Sequence, residues 1–384
     1  MRGYLFLRGS MDEKKKLLFV IENSGYGGGE RSFAQLLRGL SPGRWELFCA
    51  SRPEGRFYSE VRDVCRFLPL DLGRRFDPFN ICRLRRLLRD NAIDIVHSQG
   101  ARADFFCGLA ARGTGALAVA TAAAPVDVFD VGPVRKTLYR SLYAYAARRF
   151  SACITVSEPL AAMLRRYFPS VDVIPNGVDL SEFSPDRFDA GPVIERFGLR
   201  GKLVLGAVGR LEKEKGHACL LEALAAALRA APELRGRMVC LIAGAGSQER
   251  QLRKMAEGLG LKDSVVFCGE VAGTRDLLGA VDIFIMPSLS EGQPLALLEA
   301  MAMGKPVIAS DIPGISGTAA GGSEAVLVPP GNAASLAAAI GNMAGDIPAA
   351  LALGRGARLK ACSYSLDAFV GAHEAFYGRL CGGR

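Results

Sequence analysis

Two carboxylates and two cations are the residues of this chain best placed to do chemistry. Glu291 and Glu299 stand eight residues apart, the first in a polar loop, 288–293, and the second inside the helix expected to follow it. A short apolar strand at 283–286, closed by Pro287, leads into the loop, and the spacing predicts a helix from Pro294 to about residue 304. Proline is tolerated in a first turn, where the missing N–H has no intrahelical partner to lose. The free amides and partial positive charge of a helix N-terminus attract an anion, and carboxylates beside it accept hydrogen bonds from hydroxyls. That pairing suits a phosphorylated sugar donor. Earlier in the chain, Arg210 ends a strand and Lys215 precedes a helix. Two fixed cations there would stabilise charge building on a diphosphate as its bond to a sugar breaks, without a metal. A glycine run at 25–29 lets backbone amides approach a ligand closely, with Gly28 and Gly29 as pocket-lining positions. Each pattern also has a plain reading: Arg210 and Lys215 as surface ion-pair partners of Glu212 and Glu214, Glu299 as a solvated helix carboxylate, the glycines as a flexible loop.

The sequence around these residues narrows the choice. The block MPSLSEGQPLALLEAMAMGKPVIAS, followed by LVPPGN, resembles the C-terminal signature of the family 4 retaining glycosyltransferases, also called glycosyl transferases group 1. Residues 25–31 resemble that family's G-G-A/G-E-R, 175–179 its P-N-G-V-D linker, and 209–216 its G-R-L-x-x-x-K-G. The resemblance covers almost the whole chain. It implies the GT-B arrangement: two Rossmann-like α/β domains facing across a cleft, with a C-terminal helix crossing back to the first. The boundaries implied are 1–185 for an acceptor-binding domain, 186–365 for a donor domain and 366–384 for the returning helix. It also implies a metal-independent, retaining hexosyl transfer from a nucleotide-diphosphate sugar, UDP-linked, to a hydroxyl of a glycan or lipid-linked acceptor. The setting implied is cell-surface polysaccharide or lipopolysaccharide assembly on the cytoplasmic side of the membrane. No cofactor and no metal are implied.

Residue by residue, the resemblance places Arg210 and Lys215 on the phosphate, Glu291 on the donor sugar's hydroxyls and Glu299 on the ribose. The amides of Gly292, Gln293 and Leu295 would line sugar and phosphate, whereas Pro294 has none to give. Gln293, where many relatives carry Phe, would shape sugar choice. Gly209, Gly244, Gly269 and Val271 match strand-end positions at which the nucleotide packs. Tyr26, His97 and Arg102 fall on the acceptor side, with the acceptor loops around Tyr26, 74–79 and 101–105.

Composition agrees with a two-domain α/β protein. The chain has 384 residues, 49% of them hydrophobic, enough for two cores at roughly 100–200 residues per domain. No apolar run reaches the ~20 residues of a membrane helix, and no signal peptide is apparent; Met11 reads as an alternative start. The ten cysteines are scattered, without zinc or C-x-x-C spacing, and read as reduced cytosolic thiols. Net charge is +9, of which residues 1–190 carry +7. Basic clusters at 83–89, 135–136, 148–149 and 165–166 predict peripheral contact with an anionic membrane. Nucleic acid is disfavoured, since no recognition motif accompanies the charge.

The elements alternate as the fold requires. Strands are expected at 17–22, 45–50, 94–97, 116–123, 152–156 and 171–174, then, past a turn-rich linker, at 203–208, 239–243, 265–268, 283–286 and 306–309. Helices are expected at 31–40, from after Gly100 to about 111, and at 158–167, 218–230, 249–259, 334–343 and 366–380.

Two departures from the family pattern stand out. Relatives often carry D-V-V-H-x-H, where this chain has His97 followed by Ser98 and Gln99. Relatives also often place a His after the next strand, where this chain has Ala123. Asp127 and Asp130 are the nearest acids to stand in for it. His97 is expected at a strand end facing the cleft, with a structural role in relatives. Two alternatives therefore remain: a degenerate, noncatalytic donor-binding scaffold, and a GT-B sugar-nucleotide epimerase.

Overall fold

The computed structural model describes residues 14–22, 26–73, 77–123, 141, 143–271 and 273–382. Asp127, Asp130, Met11, the 135–136 cluster and part of the 74–79 loop lie outside them. The first domain is a parallel sheet of Lys15–Ile21 (β1), Trp45–Ser51 (β2), Arg66–Pro69 (β3), Ile95–Gln99 (β4), Leu117–Ala122 (β5), Ala152–Thr155 (β6) and Val171–Val173 (β7), in the order β3-β2-β1-β4-β5-β6-β7. Its helices are Gly28–Gly39 (α1), Gly55–Val61 (α2), Phe79–Asp90 (α3), Ala101–Ala110 (α4) and Glu158–Leu164 (α5). Strand order reverses between β1 and β4, so the loops after them diverge and leave a crevice at the sheet's carboxyl edge. The glycine loop and Gln99 sit at that point.

The second domain repeats the plan. Gly191–Phe197 (α6) leads into Leu203–Val208 (β8), Met238–Ala243 (β9), Val265–Gly269 (β10), Ile283–Met286 (β11), Val307–Ser310 (β12) and Val326–Val328 (β13), in the order β10-β9-β8-β11-β12-β13. Connecting them are His217–Ala230 (α7), Glu249–Gly258 (α8), Arg275–Gly279 (α9), Leu295–Ala302 (α10) and Pro313–Ser316 (α11), with Ala333–Gly345 (α12) and Ile347–Ala361 (α13) after the last strand. The reversal falls between β8 and β11, the two strands that precede Arg210–Lys215 and Glu291. Topology alone thus brings the expected cations and carboxylate together.

Strands covered by helices on both faces read as unbroken apolar runs rather than alternations. In β1, Leu18 and Val20 pack with Phe48 and Phe106 on one face. Leu17 and Phe19 pack with Phe33, Leu36 and Tyr377 on the other. Tyr377 belongs to Leu366–Gly382 (α14), which returns to the first domain and buries Phe369, Phe376 and Tyr377 there. Large side chains buried in this way each contribute ~1.5–3 kcal/mol to the docking. The two interdomain crossings run side by side: the Val178 amide donates to the Tyr364 carbonyl at 2.8 Å, and the Leu366 amide to the Val178 carbonyl at 2.9 Å.

Three details differ from expectation. Pro294 is the extended cap of α10 (φ −78°, ψ 127°) rather than a first-turn residue. Val178 and Phe183 pack into the second domain's core, ahead of a boundary at 185. The helices α2, α3, α6, α9, α11 and α13 and the short strands β3 and β13 add to the sequence reading: elements of three to five residues show no periodicity, and an Ala- and Gly-rich helix shows little contrast. Among the described residues no single helix is long and apolar enough to cross a membrane.

Candidate active site

Lys215 and Glu291 meet at the second domain's switch point. The Lys215 Nζ lies 2.7 Å from Glu291 Oε1, and the Ser288 hydroxyl donates to the same oxygen at 2.8 Å. Both side chains are largely covered, 20% and 9% exposed. The Leu289 amide donates to the Glu214 carbonyl at 2.7 Å, so the two loops are stitched by backbone as well as by charge. Lys215 is therefore no surface partner of Glu212 or Glu214. Glu212 instead accepts from the Ser247 amide and hydroxyl at 2.9 and 2.5 Å. Arg210 does match the plainer reading: its guanidinium pairs with Glu214 at 2.9 Å and is 64% exposed at the mouth of the site. A pair this open contributes at most ~1 kcal/mol, so it gives way readily to a stronger anion.

The strand ends beneath are tied together. The Gly209 amide donates to the Ala243 carbonyl at 3.0 Å and the Gly244 amide to the Gly269 carbonyl at 2.8 Å. Gly244 has φ +138°, and a Cβ there would lie 2.0 Å from the Gly209 carbonyl oxygen, so no other residue fits. Val271 follows Gly269 at the outer edge of the sheet. His217, next to Lys215 in the chain but one, is buried; burial pulls its imidazole down to about 4, so it is neutral, and its Nε2 lies 3.3 Å from the Arg210 carbonyl oxygen.

Glu299 is 2% exposed, far from a solvated carboxylate. Its Oε2 accepts from the Thr274 hydroxyl at 2.7 Å, and its Oε1 is held by the Arg31 guanidinium from the first domain. Burial pushes the carboxyl up, against the pull of Arg31 and Thr274. Removing one partner of a buried pair of this kind typically costs about 3–5 kcal/mol.

The domains meet backbone to backbone around these groups. A Cβ on Gly292 would lie 1.9 Å from the Ala123 carbonyl oxygen and 3.1 Å from Val156 Cγ2. Glycine here permits the close approach, and the position where relatives carry His is packed directly against the donor loop. On the facing side a Cβ on Gly28 would sit 4.0 Å from Leu295 Cδ1, and one on Gly29 would sit 2.8 Å from Gln99 Nε2. Gln293 does not face this space, contrary to the expectation that it shapes sugar choice. It is buried, and its Oε1 accepts from the Asn176 amide at 2.6 Å while its carbonyl accepts from Asn176 Nδ2 at 2.9 Å. Its side chain is spent on the linker. Two buried oxygens at the first domain's strand ends have no partner among the described residues: Gln99 Oε1 at the end of β4 and Ser157 Oγ at the start of α5.

His97 also departs from expectation. It is fully buried beneath α14, with Nδ1 2.6 Å from the Tyr377 hydroxyl and Nε2 2.7 Å from Thr121 Oγ1. Burial holds it far below the usual histidine range. It braces the returning helix and does not reach the cleft, because its side chain points to the sheet face that α14 covers. Tyr26 donates to Glu60 at 2.6 Å under the Arg56 guanidinium. Arg102 pairs with Glu22 at 2.6 Å and donates to the Leu72 and Gly73 carbonyls, bracing the loops that frame the first domain's edge. Among the described residues no group of three or more His, Cys, Asp or Glu side chains converges as a metal site would.

Sequence reasoning passed over Arg31, Thr274, Ser157 and Asn176 as functional positions. Arg31 and Asn176 had signals, in the G-G-G-E-R and P-N-G-V-D motifs. Thr274 and Ser157 had none, because only the fold places them.

Two family models match consecutive parts of the chain: Glycosyltransferase Family 4 over residues 26–182 and Glycosyl transferases group 1 over 202–346. The 2-deoxystreptamine glucosyltransferase of Streptomyces kanamyceticus is 29% identical over 66% of this chain and 66% of its own length. The UDP-Gal:alpha-D-GlcNAc-diphosphoundecaprenol alpha-1,3-galactosyltransferase of Escherichia coli is likewise 29% identical, over 66% of each. Alignments with such curated relatives span less than two thirds of their length, down to 36% for the putative glycosyltransferase EpsF of Bacillus subtilis. Among solved structures, Anabaena HepE in complex with UDP-glucose superposes with a TM-score of 0.82 at 20% identity, covering 95% of this chain and 99% of that one. WaaG, a glycosyltransferase involved in lipopolysaccharide biosynthesis, superposes with a TM-score of 0.71 at 17% identity, covering 93% and 98%. At these identities the likeness establishes the GT-B fold. With one model on each domain and the paired charges lying in the segments matched, the chain belongs to the family 4, or group 1, glycosyltransferases.

Proposed function

We propose that the protein transfers a sugar, with retention and without a metal, from a nucleotide-diphosphate sugar to a hydroxyl of a glycan or lipid-linked acceptor in cell-surface polysaccharide or lipopolysaccharide assembly. The observation that carries this reading is the Lys215–Glu291 pair, 2.7 Å apart, at the junction where Gly292 meets Ala123. A diphosphate seated at this point meets Lys215 directly, and Arg210 turns from Glu214 to join it. Their charge stabilises the leaving phosphate as the anomeric bond breaks. Glu291 orients the sugar's hydroxyls, and Glu299 accepts from the ribose. Attack from the same face puts the acceptor hydroxyl beside the departing phosphate oxygen, which takes its proton, so Ala123 in place of a His leaves the proton accounted for.

A UDP-linked donor is favoured by the E. coli relative, named for UDP-Gal, and by HepE, solved with UDP-glucose. A Mycolicibacterium smegmatis relative, 28% identical, is named as GDP-mannose-dependent, so a titration that sets GDP against UDP decides the base. The acceptor class follows the diphosphoundecaprenol and lipopolysaccharide-core relatives. The first domain offers a surface for peripheral work on the cytoplasmic face of a membrane. Phe79 (67% exposed) leads into Arg83 and Arg86 on α3, and Tyr145 (54% exposed) stands beside Arg148 and Arg149. Such a mixture of aromatic and cationic groups suits an anionic headgroup layer.

Calorimetric titration with UDP, GDP, ADP and their sugars, with chelator present, tests the proposal. Tight binding of UDP and one UDP-sugar, with transfer or slow hydrolysis of that sugar, is the expected result. Preference for GDP would change the donor. Binding without turnover would point to a scaffold, and loss of all binding would remove the reading altogether.

A further inference from the structure

We infer that Arg31 is a positioning residue of the nucleotide site, supplied by the first domain, which stays on Glu299 when the donor binds and so couples donor affinity to docking of the two domains. The inference rests on the reading of Glu299 as acceptor of the ribose hydroxyls. Arg31 lies in the first turns of α1, and its guanidinium reaches Glu299 Oε1 on α10. Thr274, the residue before α9, holds the other oxygen at 2.7 Å. A carboxylate has roughly four acceptor positions. Arg31 and Thr274 take one on each oxygen, and the remaining two match the two vicinal hydroxyls of a ribose.

The competing arrangement has the nucleotide displacing Arg31. Energetics decide against it. Glu299 is only 2% exposed, and a buried carboxylate stripped of its cation loses more than two neutral hydroxyl donors return. Hydroxyls therefore add to the pair rather than replace it. The turn that carries Arg31 is docked at neighbouring positions as well. Gly28 faces Leu295, whose Cδ1 would lie 4.0 Å from a Cβ there, and the Ser32 hydroxyl donates at 3.1 Å to Asn176 Oδ1 in the linker, whose nitrogens in turn hold Gln293. Separating the domains would pull Arg31 off with the whole turn and take from Glu299 the cation that favours its ionised form. A protonated Glu299 has one oxygen turned donor and serves the ribose poorly. The charged groups that face Glu299 are Arg31, which favours its ionised form, and Glu182, which opposes it.

UDP binding to Arg31→Met, Arg31→Lys and Glu299→Gln, measured by calorimetry from pH 5.5 to 8.5 with folding checked by circular dichroism, tests this. Arg31→Met should weaken UDP about tenfold to a hundredfold at pH 7 and recover as pH rises and Glu299 ionises. Arg31→Lys, which keeps the charge, should retain most of the affinity and the wild-type pH profile. Arg31→Met binding UDP as tightly as wild type, or more tightly, overturns the inference, as does a loss that is the same at every pH. If Glu299→Gln leaves UDP affinity unchanged, the ribose reading itself falls and the inference with it. If Glu299→Gln weakens UDP and Arg31→Met does not, only the role of Arg31 is wrong.

Discussion

The two strand-end surfaces that face each other across the cleft are built from different chemistry. The second domain carries its charge in pairs: Lys215 on Glu291, Arg210 on Glu214, and the buried Glu299 held by Arg31 of the first domain. The first domain presents neutral groups at the same level, Gln99, Ala123 and Ser157, with the Arg102–Glu22 pair bracing its rim, and buries other ionisable side chains underneath. His97 and His373 are buried below α14 or within it, and Asp104 is buried beside Ser98. Arg31 is the side chain that crosses between the two sets. The division matches the work proposed for each side, since a diphosphate needs fixed cations and a hydroxyl acceptor needs directional neutral partners. It also locates the cost of error: damage to the second surface removes transition-state charge, and damage to the first removes position.

The largest effect is expected at Lys215. Lys215→Ala should lower turnover of the preferred donor by about 10²–10³-fold, measured as UDP release, with a smaller change in UDP affinity. An equal loss in both would mean that Lys215 only binds the diphosphate, and the contrast between charge and position would blur.

Much of this contrast was legible in the sequence, for a physical reason. Charge at a strand end followed by a helix is a local pattern, and so is a glycine loop, so Lys215, Glu291 and Glu299 could be named from spacing and resemblance. The first surface is assembled from β1, β4, β5 and α5, which are far apart in the chain, by small and neutral residues without a periodic signal. Ser157 and Thr274 could not have been found that way. His97 illustrates the opposite failure: a structural role is expected of it but on the cleft side, whereas side chains in a strand alternate between faces, and its face is the one that α14 covers. Gln293 failed similarly, because its partner Asn176 lies in the linker, far away in the chain.

Next in size is a pH effect confined to the groups the first domain hides. Burial pulls His373 down to about 4 and holds His97 well below the usual histidine range. Both are protonated in the unfolded chain below pH ~6.5, so the folded state loses stability as pH falls from there towards 4, by about 3 kcal/mol for His373 alone. Asp104 has the reverse sign. Burial raises it to about 7, against the Ser98 hydrogen bond at 2.7 Å. Its folded form keeps a proton that the unfolded chain releases near pH ~4, so its contribution is lost as pH rises towards 7. Asp104→Asn, which can still accept from Ser98, should therefore unfold at higher denaturant than wild type at pH 8 and at the same denaturant near pH 4. A variant matched to wild type at both pH values would show that Asp104 is ionised in the fold without penalty.

Gly292→Ala probes the contact between the surfaces. The added Cβ falls 1.9 Å from the Ala123 carbonyl oxygen, so the domains must separate or the donor loop must shift. A displacement of about 1 Å at a reacting centre costs roughly 10²-fold in rate. Turnover should fall by that order while the melting of each domain's core hardly moves. Normal turnover would show that the Gly292–Ala123 contact is dispensable, and that position matters less here than charge.

The smallest effect, expected at Gln99, distinguishes a functional residue from a structural one by the sign of its stability change. Gln99 is 7% exposed and its Oε1 has no partner among the described residues, a state that ordinarily costs ~1–3 kcal/mol. A residue kept for packing would not leave that oxygen unpaired. Gln99→Leu preserves most of the volume and removes the unpaired group, so it should raise the melting temperature by about 2 °C. If the oxygen accepts a hydrogen bond from the acceptor's hydroxyl, the same change should raise the acceptor KM about tenfold while leaving UDP affinity as it was. Higher stability with unchanged KM would place Gln99 outside the acceptor site. Lower stability would mean that its amide is already satisfied through Gly29's loop, and the neutral surface would then begin at Ser157 and Ala123 alone.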